Sequence, residues 1–73
     1  MMLSPSERQD IDLMSVSKSF DDVIRVSKDM MEFVYREIKI TLYPNGSVMF
    51  YHFTELEKGR MYADEVIAKA RQG

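Results

Sequence analysis

Few residues in this sequence are equipped for chemistry, and their spacing limits what they can do. The single histidine, His52, lies between Tyr51 and Phe53 in an apolar run, so its imidazole has no partner nearby in sequence with which to form a catalytic pair or a metal site. Cysteine is absent, which removes thiolate nucleophiles, zinc–thiolate sites and disulfides together. Asp10/Asp12 and Asp21/Asp22 are paired acids, but neither pair is set among the spaced oxygen ligands and glycine of a calcium loop, so they read as solvated surface and helix-capping residues. There is no glycine-rich phosphate loop, no His-Glu-x-x-His helix and no Gly-x-Ser-x-Gly elbow. An enzyme is therefore not expected, and no cofactor, metal or small-molecule ligand is implied.

What remains is aromatic. Tyr35, Tyr43, Met49, Tyr51 and Phe53 are interleaved with Arg36 and Lys39, a mixture suited either to docking a protein or to stacking the bases of a single strand. Charge weighs against the second use. The formal net charge is -2 and the pI about 5.3, with basic and acidic residues intermixed, whereas phosphate-binding proteins usually carry a clear basic excess. Nucleic acid is thus the less favoured partner, behind a second copy of the chain or another protein.

The elements that must position these residues follow from periodicity. With 73 residues, 45% of them apolar and 30% charged, the chain has the size and composition of a single small globular domain that packing alone must stabilise. Residues 1–9 read as a flexible leader and 10–73 as one α+β domain. Residues 10–17 fit a short strand or a turn of helix. Phe20, Val23, Ile24, Ser27, Met30 and Met31 recur at three- and four-residue spacing, which predicts a helix over about 20–31 with Ser19 as its N-cap. Beyond Glu32 the pattern alternates, with Ile38, Ile40 and Leu42 on one parity and Glu37, Lys39 and Thr41 on the other.

Tyr43-Pro44-Asn45-Gly46-Ser47 is a strong turn signal, because Pro44 presets the first bend and Gly46 can take the left-handed conformation that closes a hairpin loop. It predicts an antiparallel hairpin of about 35–43 and 47–53. A three-residue loop sets Leu42 opposite Val48, Ile40 opposite Phe50 and Ile38 opposite His52, whereas a two- or four-residue loop would put Met49, Tyr51 and Phe53 on that face instead. Thr54 and Glu57 form a capping-box pattern before a final helix at about 55–71, whose apolar side is Leu56, Gly59, Ala63, Val66, Ile67 and Ala70. The expected architecture is a two-layer domain in which this helix covers the aliphatic face of the hairpin. Tyr35, Tyr43, Met49, Tyr51 and Phe53 would then share the opposite face and need cover.

The segment from Ile38 to Tyr51, followed at once by an acidic-capped helix, resembles the strand, turn, strand and helix unit of TATA-box-binding-protein-like domains. It also resembles the small C-terminal domain of some adenylating enzymes that activate ubiquitin-like sulfur carriers. What the resemblance implies is topology; in the first family it further implies that the sheet face opposite the helices meets a partner and that two units sit side by side. These readings together predict a non-enzymatic interaction module, a homodimer or a small subunit of an assembly, using the five-residue aromatic face. A cytoplasmic location and no membrane insertion fit the missing cysteines and the lack of a long apolar run.

Overall fold

The computed structural model describes residues 1–72. In chain order its elements are β1 (Met2–Leu3), α1 (Leu13–Val16), β2 (Val23–Val26), β3 (Met31–Tyr35), β4 (Ile38–Leu42), β5 (Val48–Phe50) and α2 (Leu56–Gln72), with a single 3-10 turn at Ser17–Ser19. The strands form one antiparallel sheet in the order β1-β5-β4-β3-β2, and α2 packs on one side of it. The α+β class, the hairpin and the C-terminal helix are those expected.

The hairpin register is also the expected one, Leu42 with Val48 and Ile40 with Phe50. The turn that sets it is closed by two backbone bonds, Gly46 N to Tyr43 O and Tyr43 N to Ser47 O, both 2.9 Å. The side chain of Asn45 accepts from Ser47 N in the same turn. Pairing ends sooner than expected. His52 is exposed and has φ of 55°, which turns the chain out of the strand after Phe50, so the expected pair of Ile38 with His52 does not form.

The helix expected over 20–31 is absent. Val23–Val26 and Met31–Tyr35 are strands that pair with each other, and the only helix before the sheet's central strands is the single turn Leu13–Val16, capped by the Asp12 side chain accepting from Ser15 N. Residues 10–17, read as strand or helical turn, thus take the helical option at their centre. The 20–31 stripe fits a helix locally, but Val23, Ile24 and Val26 are β-branched, and Met31, Phe33 and Tyr35 alternate. Extended backbone lines these residues up across four or five strands. Val23–Phe33–Ile40–Phe50 forms one row and Val26–Met31–Leu42–Val48–Leu3 the next, both on the helix-covered face. Leu13, Val16 and Phe20 close the same core, with the Phe20 and Phe33 rings 4.9 Å apart.

Residues 1–9, expected to lead loosely into the domain, instead supply a sheet edge and a cover for the turn. Met2 pairs with Met49 and Leu3 with Val48, while Gln9 N and Ile11 N donate to Asn45 O and Pro44 O at 3.0 Å. Arg71 near the end of α2 reaches back to Gln9 Oε1 at 2.8 Å. The helix itself starts one residue later than the Thr54 cap implies: Gly59 N donates to Glu55 O, so Glu55 occupies the capping position. Val66 and Ala70 are buried against the sheet, whereas Leu56 is exposed.

Strands β3 and β4 are joined by the two-residue turn Arg36-Glu37, with φ of 50° and 69°. Positive φ at both central positions is the hairpin geometry that normally selects Asn-Gly, and left-handed backbone costs an ordinary L-residue about 1–2 kcal/mol. Glu37→Gly is therefore expected to stabilise the domain by about 0.5–1 kcal/mol, after the added chain entropy of glycine is deducted. That gain corresponds to a rise of about 2–8 °C in Tm. A thermal melt followed by circular dichroism checks it, with Glu37→Ala as the control that leaves the strain in place and gains nothing.

Candidate functional site

The face of the sheet away from α2 is not accounted for by the core. Alternation along the strands puts the transverse row Arg25–Glu32–Thr41–Met49–Met2 on this side, with Val34 and Lys39 paired in the adjacent row. Ile24 joins it at the β2 edge, where the register shifts between Val23 and Arg25 and both Ile24 and Arg25 are exposed.

A connected set of polar groups lies flat across the middle of this face. Arg25 donates through Nε to Glu32 Oε1 at 2.9 Å and sets Nη2 2.8 Å from the same oxygen, while Lys39 Nζ stands 3.6 Å from Glu32 Oε2. The Lys39 ammonium also sits 5.1 Å from the centroid of the Tyr51 ring, and the Tyr51 hydroxyl is hydrogen-bonded to Thr41 Oγ1 at 3.1 Å. These overlying side chains reduce Glu32 to 8% side-chain exposure and bury Thr41 completely, although no helix covers them. The Arg25 hydrogen bond holds the Glu32 carboxyl below its ordinary value, against the opposing effect of burial and with help from the Lys39 charge.

Apolar surface surrounds this network. Met2, Ile24, Val34 and Tyr51 are the exposed large apolar side chains of this face, against Met14, Leu56 and Met61 elsewhere among the described residues. At the β1 edge, Met2, Tyr43 and Pro44 line a shallow depression together with Arg8.

The five residues expected to form one aromatic face do not share one. Met49 and Tyr51 lie on the open side, and Tyr43 sits at its β1 edge beside Met2. Tyr35 and Phe53 are on the helix-covered side. Tyr35 is the register partner of Ile38 across the Arg36-Glu37 turn, so the turn reverses the parity that a continuous strand from residue 35 would have. The bend at His52 does the same for Phe53, whose ring packs 5.7 Å from Phe50 and 6.1 Å from Tyr62 of α2. Arg25, Glu32, Thr41, Ile24 and Val34 were not read as part of this surface, Ile24 being assigned to a helical stripe; the alternation of Met31, Phe33 and Tyr35 was the signal that could have placed Glu32 and Val34 opposite the core.

A second cluster ties the sheet to α2. The Tyr35 hydroxyl donates to Glu65 Oε1, and Arg36 Nε stands 3.1 Å from that same oxygen. The Arg36 guanidinium lies 5.5 and 5.3 Å from the Tyr35 and Tyr62 ring centroids. Burial, and then the bond to Glu65, pushes the Tyr35 phenol up; the Tyr35 hydrogen bond, and then Arg36, holds Glu65 down. Both contacts converge on the same carboxylate oxygen, Glu65 Oε1, and so tie β3 and the Arg36-Glu37 turn to α2.

Glu32 and Glu65 give the domain a defined acid response. Both carboxyls are harder to protonate folded than unfolded, so each contributes stability that is fully present above the ordinary glutamate value of 4.5 and is lost as the pH falls through the lowered folded value. The Tm is expected to be flat from neutral pH to about 5 and to fall below about 4. Melts of the wild type and of Glu32→Gln across that range check it, since the variant should lose part of the slope.

Among the described residues, no group of three or more His, Cys, Asp or Glu side chains is placed to hold a metal ion, and no helix is long and apolar enough to cross a membrane. Compared with protein-family models, curated proteins and solved structures, the chain matches none.

Proposed function

We propose that this chain is a non-enzymatic protein-interaction module that docks through the open face of its sheet. The observation that carries the reading is the concentration of exposed Met2, Ile24, Val34 and Tyr51 on that face, set around side chains already held in place by Glu32. A surface whose polar groups are pre-ordered loses less side-chain freedom on binding than a mobile one. The resemblance to TATA-box-binding-protein-like domains read from residues 38–51 would put a partner on the sheet face away from the helices, which is the face proposed here. A cytoplasmic setting suits a cysteine-free chain.

The geometry weighs against stacking of a single nucleic-acid strand. Tyr35 and Phe53 are engaged with α2, and the one tyrosine ring in the middle of the open face is flanked by Lys39 and bonded to Thr41. Successive bases would lack a platform.

Site-specific photocrosslinking inside the source cell tests the reading. A benzophenone amino acid at Ile24 should give discrete protein adducts, whereas the same group at Met61, exposed on α2, should not. Adducts only from Met61, or none from Ile24, would remove the sheet face from consideration.

A further inference from the structure

Building on the docking face just proposed, we infer that its occupant is an acidic amphipathic segment of another protein rather than a second copy of this chain. Arg25 and Lys39 share the one carboxylate of Glu32, so this network at the middle of the face carries an excess of one positive charge on a chain whose formal net charge is -2. Glu32 is nearly covered, while the Arg25 and Lys39 side chains are 71% and 49% exposed and present their outer donors to solvent. At the opposite edge Arg8 lies beside Met2 and Tyr43, with Asp10 next to it, so that edge adds no net charge. The surface therefore offers apolar side chains around the exposed Arg25 and Lys39 cations. Its complement is an apolar stripe flanked by carboxylates.

A second copy meeting this face with its own would bring excess positive charge against excess positive charge, which opposes association. Size is compatible with a single helix or strand lying across the sheet, because five strands span about 19 Å from β1 to β2. The bulge in β2 is a device that discourages pairing at that edge, so addition of a strand from a partner is less suited to this chain than cover of the face.

The test is selection of random phage-displayed peptides of about 16 residues, about 24 Å long as a helix, on the immobilised full chain, followed by titration of the enriched peptides made synthetically. Enriched sequences should be net acidic with an apolar stripe and should bind more weakly as salt is raised. Ile24→Glu should weaken them about tenfold or more, and Lys39→Gln should reduce both affinity and salt dependence, with circular dichroism confirming that each variant is folded. Enrichment of neutral or basic peptides, or affinity indifferent to both substitutions, would overturn the inference. So would a homodimer in sedimentation that Ile24→Glu dissociates, or displacement of the peptides by a thymidine oligonucleotide; the homodimer would leave the protein-docking reading standing, and the oligonucleotide would not. If nothing is enriched and Ile24 yields no crosslink, both ideas fall.

Discussion

Replacing Phe33 by alanine is expected to cost about 3–5 kcal/mol, enough to leave a domain of this size largely unfolded at room temperature. Phe33 is fully buried, centred in the Val23–Phe33–Ile40–Phe50 row and packed on Phe20 from the connecting segment. Its removal leaves a cavity bounded by side chains from three strands and the α1–β2 connection, which cannot collapse together. Small domains bury a lower fraction of their surface than large ones, so their reserve is small. Urea unfolding followed by far-ultraviolet circular dichroism measures the loss. Phe53→Ala, at the half-buried end of the sheet, provides the comparison and should cost clearly less. Were residues 20–31 a helix, with Phe33 merely trailing from it, the two substitutions would rank the other way.

Gly46→Ala is expected to destabilise the fold by about 2–4 kcal/mol, combining the left-handed backbone penalty with overpacking. The glycine has φ of 93°, and a Cβ built there would lie 2.6 Å from Gln9 Cγ and 2.9 Å from Pro5 Cγ. The turn is thus constrained twice, by its own conformation and by the N-terminal segment that lies over it. Gln9→Ala in the same chain should recover part of the loss, because it relieves crowding but leaves φ unchanged. Denaturant midpoints of the single and double variants separate the two costs. A Gly46→Ala protein as stable as the wild type would mean that the hairpin loop does not adopt this conformation.

The open-face reading depends on side chains that sequence alone did not bring together. Tyr51 and Met49 were legible as members of one surface, because the Pro44-Asn45-Gly46 turn determines which residues of β4 and β5 face each other. Tyr35 and Phe53 were misplaced because each lies beyond a reversal: the Arg36-Glu37 turn lacks the Asn-Gly signature of its geometry, and a histidine inside an apolar run is only a weak signal of a left-handed residue. Arg25 reaches Glu32 only once β2 and β3 pair, and Glu32 becomes buried only once Lys39 of β4 joins them.

The sequence by itself determined the α+β class, the hairpin register and the C-terminal helix, since each rests on interactions among residues close along the chain: a turn of defined φ preference, strict alternation beside it, and an apolar stripe over residues 56–70. Tertiary structure decided between helix and strand for residues 20–31. Locally their apolar spacing satisfies a helix, but only as strands do Val23, Met31 and Phe33 complete rows begun by Ile40, Leu42, Val48 and Phe50. The free energy of burying those rows is shared across strands far apart in sequence, and no local propensity of a few tenths of a kcal/mol per residue outweighs it.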